Sequence, residues 1–297
     1  MRCLKTEKAK ITLLDIIVVM LLIIIASYIV YRINIGLHYK WNWSAIPQYL
    51  FRYDPETMRL IPNLLMQGLF MTIRLSIWGT VIATGIGLIM GLFRVSGSLF
   101  KRLVGRSYVE LIRNIPPLVL IFIFYYFISN QIFSLFDIDA FMNGRPQWCR
   151  DLFGFFCAPV SQCAAFMSAL ITLAIFEGAY ITEIIRAGIQ SIAKGQYEAA
   201  YALGLSKWQA MHHIILPQAT KIILPPLAGQ FISTIKDSAI VSVISIQELT
   251  FQGMELMAAT YLTFECWITI TLLYLMLTFT LSLGVNRIET YMKRNET

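Results

Sequence analysis

Five side chains able to do chemistry stand inside apolar stretches of a chain that is 57% hydrophobic and 14% charged. Arg74 comes early in one stretch. Glu177 lies deep in another, with Tyr180 at i+3 on the same helical face, and Lys236 and Asp237 interrupt a third. An ionisable group within an apolar span is expensive and marks a functional position by default. Together these residues suit a zwitterion: Arg74 or Lys236 for an α-carboxylate, Glu177 or Asp237 for an α-ammonium. A structural reading stands beside this one, in which Lys236 and Asp237 pair with neighbouring helices and Arg74 snorkels to the interface. Glu183, one turn from Arg186, reads as half of an internal ion pair. Arg113 precedes Asn114-Ile115-Pro116-Pro117, whose prolines bend or break a helix, and reads as structural or gating.

Other chemistries find little support. The sequence has no G-x-x-x-x-G-K-[ST] loop, so nucleotide binding of the usual kind is not expected. The run GIGLIMG, with Gly85, Gly87 and Gly91, lies inside an apolar stretch, where Gly87-x-x-x-Gly91 lets two helix backbones approach closely. His38, His212 and His213 stand at no catalytic spacing from a cysteine or serine, and the five cysteines show no metal-binding spacing. Cys149 and Cys157 fall in a loop, with Cys163 just after it. A disulfide is chemically permitted there, and unpaired thiols are the expected state. No catalytic constellation is present, so an enzyme is not expected.

The positions of these residues depend on the elements that carry them. Soluble domains are about 25% charged, and a mean hydropathy of +0.66 places this chain in a bilayer. Uncharged stretches at 16–31, 75–93, 114–136, 152–176 and 266–286 are candidate spans. A sixth, 222–246, is interrupted only by Lys236 and Asp237, and each comes near the roughly 20 residues that a spanning helix needs. The expected fold is an all-α integral membrane protein with about six transmembrane helices. The first span follows Arg2, Lys5, Lys8 and Lys10, exceeds a signal-peptide core in length and has no clear cleavage site, which makes it an uncleaved anchor. With both termini cytoplasmic, inside segments carry fifteen Lys and Arg residues against six outside, which selects that orientation. The net charge of +7 is then a matter of basic cytoplasmic loops, and no nucleic-acid partner is expected.

Between the fourth and fifth spans lies EAAYALGLSKWQAMHHIILPQ, residues 198–218, part-polar and too short to span. Ala200 and Gly204, four apart and both small, are expected to share a helix face open to another protein's surface. Ser206 is expected to cap the next turn, with Trp208, Met211 and Ile215 packing back on the membrane domain. Pro217 is expected to end the segment. The alternative, an amphipathic linker lying on the bilayer, would favour a strongly basic face and a continuous apolar one, and this segment has neither.

The pattern Glu198-Ala199-Ala200, three residues, Gly204, nine residues, Ile214, one residue, Leu216-Pro217 resembles the cytoplasmic signature of ATP-binding-cassette (ABC) importer permeases. The polar amino acid branch is the nearest in appearance. AYITEIIRAGIQSIAKGQYEAAYALGLSKWQ (179–209), YVELIRNIPPLV (108–119) and KDSAIVSVISIQEL (236–249) look like its three marks. The resemblance covers roughly 63–287, and the second outer loop is long for the group. The first span and the loop 32–62 lie outside its strongest part, so the expected division is an N-terminal anchor helix and first periplasmic loop over 1–62 and an importer-type permease domain over 63–297.

The resemblance also implies a coupling helix that carries Glu198, Ala199, Ala200, Gly204, Leu216 and Pro217 and docks on a cytoplasmic ABC ATPase dimer. A periplasmic amino-acid-binding protein and a second permease subunit, identical or homologous, would complete the assembly in the bacterial inner membrane. No cofactor is expected on this chain, since ATP and Mg²⁺ would sit on the ATPase. FEGAYITEIIRAGIQSI (176–192) most resembles glutamate/aspartate permeases, and Arg74 and Lys236 suit an anionic side chain. Glutamine or a basic amino acid stays open. An ion-coupled secondary carrier or channel is the alternative class, and it would need no ATPase.

Overall fold

The computed structural model describes residues 12–36, 39–56, 58–129, 131 and 138–294. It divides into two compact units, Met1–Asn42 and Trp43–Thr297. In the first unit, helix α1 (Leu13–Gly36) starts where Thr12 donates its backbone N–H and its hydroxyl to Asp15 Oδ2, both at 2.8 Å. From Leu13 to Ile29 its apolar side chains are exposed on every side, as befits a helix made for lipid rather than for a core.

The second unit opens with a short helix, α2 (Ile46–Leu50), and an antiparallel hairpin, β1 (Phe51–Asp54) with β2 (Arg59–Pro62). The register runs from Phe51↔Pro62 to Asp54↔Arg59. This hairpin lies in the loop before the second span, and the other regular elements among the described residues are helical. Among the described residues, four helical stretches are long and apolar enough to cross a membrane: Leu64–Val95, Val160–Gln190, Lys207–Ile244 and Thr263–Arg287. One bent pair makes up to five, and α1 adds a shorter apolar helix over Leu13–Ile29, against the six expected spans.

The bent pair corrects the third expected span, 114–136. Helix α4 (Leu99–Asn114) ends at Ile115, and α5 (Pro117–Phe122) leaves at 108° and runs on as a π-turn over Ile123–Ser129. Pro116 lacks the N–H that a continuing helix would use, and its φ of −55° and ψ of 134° turn the chain. The residues 130 and 132–136 of that expectation lie outside the described ones. After α6 (Ile138–Asn143), the expected fourth span also shifts. Residues 147–156 form a separate helix, α7 (Gln147–Phe156), closed by Cys157 and Pro159. The spanning helix is α8 (Cys163–Gln190), continuous with a 3₁₀ turn at Val160–Gln162.

The core lies between α3 (Leu64–Val95) and α8, which run parallel. A Cβ built on Gly79 would sit 3.1 Å from Leu173, one on Gly87 2.5 Å from Ile181 and one on Gly91 2.8 Å from Ile185. The backbones touch because those side chains are missing, which bears out the packing role expected of Gly87 and Gly91. Short helices α9 (Lys194–Ala202) and α10 (Lys207–Ala210) follow, then a π-turn over Met211–Ile215 and helix α11 (Leu216–Asp237). Pro217 therefore does not close a helix: it directly follows the π-turn, within the continuous helical stretch Lys207–Ile244. A 3₁₀ stretch (Ser238–Ile244), α12 (Leu249–Thr260) and α13 (Thr263–Arg294) complete the unit.

Candidate functional site

Glu177 is fully buried on α8. Gln230, on α11, donates its Nε2 to Glu177 Oε2 at 2.6 Å, while Glu177 Oε1 is buried with no hydrogen-bond partner. Asp237, half-buried, lies close enough for its charge to act on Glu177, and fully buried Thr234 lines the same place. Gln230, Thr234 and Asp237 stand at i, i+4 and i+7, so one stripe of α11 faces the Glu177 carboxylate. Two carboxylates and an amide thus form a buried, acceptor-rich cluster between α8 and α11, where like charges repel unless a cation or a proton joins them.

The other expected members lie elsewhere. The ring of Tyr180 packs edge-on against Phe176 at 5.3 Å, and the Arg113 guanidinium lies 5.1 Å from its centroid. Lys236 is exposed, with no ion pair among the described residues. Arg74 is nine positions before Ala83, the α3 residue level with Glu177, which is about 13 Å along the helix. The structure thus joins Glu177 to Asp237 and separates both from Arg74. Gln230 was not singled out from the sequence. Its signal was there, since it falls seven residues before Asp237 on the same face. Glu183 does form the expected ion pair with Arg186, at 2.8 Å, and a second with Arg94, at 2.9 Å.

A second carboxylate, Glu248, escaped notice because it stands next to a polar turn. It is fully buried and caps α12, accepting from the backbone N–H of Thr250 (2.9 Å) and of Phe251 (2.8 Å). Tyr274 of α13 donates its hydroxyl to Glu248 at 2.9 Å, and Thr72 of α3 accepts from Leu249 N at 3.1 Å. The site ties three helices together. Among the described residues, Cys149, Cys157 and Cys266 stand in no disulfide.

Between α8 and α11, the segment 194–215 takes a form that corrects the expected small-residue face. Ala200 is fully buried against the chain's own core. Gly204 is not on a helix face at all: it follows the end of α9 with φ +75°, in the left-handed region. Gly204 N donates to Tyr201 O at 2.9 Å and Leu205 N to Ala200 O at 3.1 Å, the paired bonds of a Schellman stop. Ser206 caps α10 as expected, in a reciprocal box with Gln209. Ile215 is buried and Met211 packs on the core, but Trp208 is 72% exposed and stacks on His212. Glu198, Ala199 and Pro217 are exposed, and Leu216 is half-buried. With Leu203 at 76% and Tyr201 at 47% exposure, the segment presents large apolar side chains rather than small ones.

Comparison with known proteins gives this geometry a family. Residues 83–294 match the family described as binding-protein-dependent transport system inner membrane component. The probable glutamine ABC transporter permease protein GlnM of Bacillus subtilis is 35% identical over 78% of this chain and 95% of its own length. The glutamine transport system permease protein GlnP of Escherichia coli is 34% identical over 86% of this chain and 99% of its own. The glutamate/aspartate import permease protein GltJ of Escherichia coli stands at 30%, over 84% and 94%. A crystal structure of an amino acid ABC transporter with histidines superposes with a TM-score of 0.65 at 32% identity, covering 85% of this chain and all of that one. The chain belongs to the binding-protein-dependent inner membrane components, as the multi-pass permease subunit of an amino acid ABC importer, and is not an enzyme.

Proposed function

We propose that this permease imports a neutral polar amino acid of the glutamine type. One observation carries the reading: the fully buried Glu177 carboxylate, with one oxygen unpartnered, stands beside Asp237 and accepts from Gln230. An α-ammonium entering there meets two carboxylates and relieves their repulsion, and the Gln230 amide can exchange paired hydrogen bonds with a carboxamide. A third carboxylate, on an acidic side chain, would meet like charge at close range in a poorly solvated place. That argues against glutamate or aspartate as the cargo, and the identities to glutamine permeases point the same way.

The energy comes from outside the chain. A cytoplasmic ATPase dimer, holding ATP and Mg²⁺, docks on the segment 194–215 of each of two permease subunits. The exposed Tyr201, Leu203 and Trp208 supply the contact, on a segment whose course Gly204 sets. A periplasmic binding protein delivers the amino acid, and ATP-driven closure alternates access to Glu177. Both termini lie in the cytoplasm. The test is Glu177→Gln in proteoliposomes with the ATPase and binding protein. The apparent KM for glutamine should rise at least about tenfold, roughly 1.4 kcal/mol, with ATPase association unchanged. An unchanged KM would make Glu177 a packing residue.

A further inference from the structure

A cavity of about 280 Å³ opens near the N-terminal ends of α3 and α8, where two apolar side chains of α3, a glycine and a proline line it beside five polar residues, Gln67, Arg74, Gln162, Gln247 and Gln252. Four of these five are carboxamides and the fifth is a guanidinium. Gln252, on α12, is 4% exposed, and its Oε1 is buried with no hydrogen-bond partner. Half-buried Arg74 has no ion pair among the described residues. At the rim, Gln162 Nε2 donates to Gln247 Oε1 at 2.6 Å, which leaves the second amide oxygen and nitrogen of that pair for a ligand. A buried acceptor left unmet and a cation left unpaired are both costly unless something completes them.

The neighbourhood is built to hold this arrangement. A Cβ on Gly68 would sit 2.9 Å from both Gln252 Cγ and Leu249 Cα, so α12 is pressed on α3 at this height. Glu248, between Gln247 and Gln252 in sequence, fixes the start of α12 to Tyr274. The cavity is below the roughly 300–1,000 Å³ of drug-sized sites, a scale that suits one free amino acid.

We propose that this cavity is an outer amino acid subsite, separate from the one at Glu177. Arg74 holds the α-carboxylate in a two-toothed contact. Gln252 Oε1 accepts from the α-ammonium or a side-chain amide, and the Gln162–Gln247 pair reads the remaining carboxamide. The subsite is outer because the basic-residue distribution puts the N-terminal ends of α3 and α8 outside, and the choice of glutamine as probe rests on the function proposed above. Cargo released by the binding protein would rest here before moving about 13 Å inward along α3.

The experiment is equilibrium binding of radiolabelled L-glutamine, then of a panel of polar amino acids, to the permease–ATPase complex in nanodiscs without binding protein. The wild type should show two components per chain. Glu177→Gln should weaken one, and Arg74→Gln and Gln252→Leu should each weaken the other at least tenfold. Arg74→Lys should fall between, since it keeps the charge and loses the fork. Survival of the Glu177-dependent component in Arg74→Gln shows that the variant is folded. Binding abolished entirely by Glu177→Gln, or untouched by Arg74→Gln and Gln252→Leu, overturns the outer subsite and leaves the glutamine reading standing. A different amino acid from the panel that binds with an Arg74-sensitive component overturns the glutamine reading and supports the subsite. If Arg74→Gln binds glutamine normally but loses stimulation of ATP hydrolysis by binding protein, the cavity seats that protein and the proposal fails.

Discussion

Gly204→Ala adds one methyl group, and by size alone it would be the mildest change available there. The backbone predicts otherwise. Gly204 has φ +75°, where an L-residue with a Cβ loses about 1–2 kcal/mol relative to glycine. No atom lies within 4 Å of a Cβ built on it, so the cost is conformational and not a clash. Both bonds of the Schellman stop depend on that φ, and with them the direction in which Leu203 and Trp208 are offered. If docking needs the stop formed, about 1.4 kcal/mol weakens ATPase affinity tenfold. Asparagine tolerates left-handed backbone best among the larger residues, so Gly204→Asn should bind better than Gly204→Ala despite its greater bulk, and the β-branched Gly204→Val should bind worst. The assay is titration of purified ATPase onto permease variants in nanodiscs, with uptake in reconstituted liposomes alongside. An order set by size, with alanine near wild type and asparagine worse, would refute the backbone argument and restore a small-residue docking face.

Three further outcomes are expected. Leu203→Ser with Trp208→Ser should leave insertion intact and lose ATPase on purification, because both side chains are exposed and neither supports the core; retained ATPase would place docking elsewhere. Gly188→Ala should cut uptake per ATP hydrolysed, since its Cβ would collide with Ile223 of α11, and trimming that neighbour by Ile223→Ala in the same chain should restore part of the loss; additive damage in the double variant would refute the contact. Reporters fused after Val104 and after Thr297 should read cytoplasmic and one within 39–55 periplasmic, and a cytoplasmic reading for the last would overturn the orientation.

The membrane class, the helix count and the proline break at Pro116 were legible because each depends on composition or on one residue's covalent limits. Span boundaries were less so. The fourth span begins at Val160 and not at 152 because α7 is itself apolar, and hydropathy alone does not separate it from the span. The inner cluster was half legible. Glu177 and Asp237 stood out by charge, whereas Gln230 carries none and shows only as a position on the Asp237 stripe. Arg74 was placed with them because sequence gives the presence of a charge in a span but not its depth against a neighbouring helix. The pairing of Gly79 with Leu173 and Gly87 with Ile181 supplies that depth. Gly204 misled for a related reason. A spacing of four is a helix face only where the helix continues, and a glycine after eight or nine helical residues equally signals its end.

The corrected geometry also explains how motion at the segment 194–215 could reach Glu177. The helix that carries Glu177 runs directly into the segment, and the helix that carries Gln230 and Asp237 runs directly out of it. Thirteen residues of α8 separate Glu177 from Gln190, about 20 Å at 1.5 Å per residue, and a similar length of α11 returns from Leu216 to Gln230. The segment is pinned to both. Tyr197 donates its hydroxyl to Ile189 O at 3.3 Å, and Gln218 donates to Gln196 Oε1 at 3.1 Å. Gly188 and Ile223 clamp α8 on α11 between the cluster and the segment. A pull on the segment is thus divided between two rods that meet again at one carboxylate. They differ in stiffness, since α8 has no proline along its length, while α11 carries Pro225 and Pro226 between the clamp and Gln230. Each proline removes a backbone hydrogen bond that would otherwise resist bending. In the proposed cycle, α8 therefore transmits the displacement and α11 flexes, so the change falls on the Gln230–Glu177 hydrogen bond that joins them.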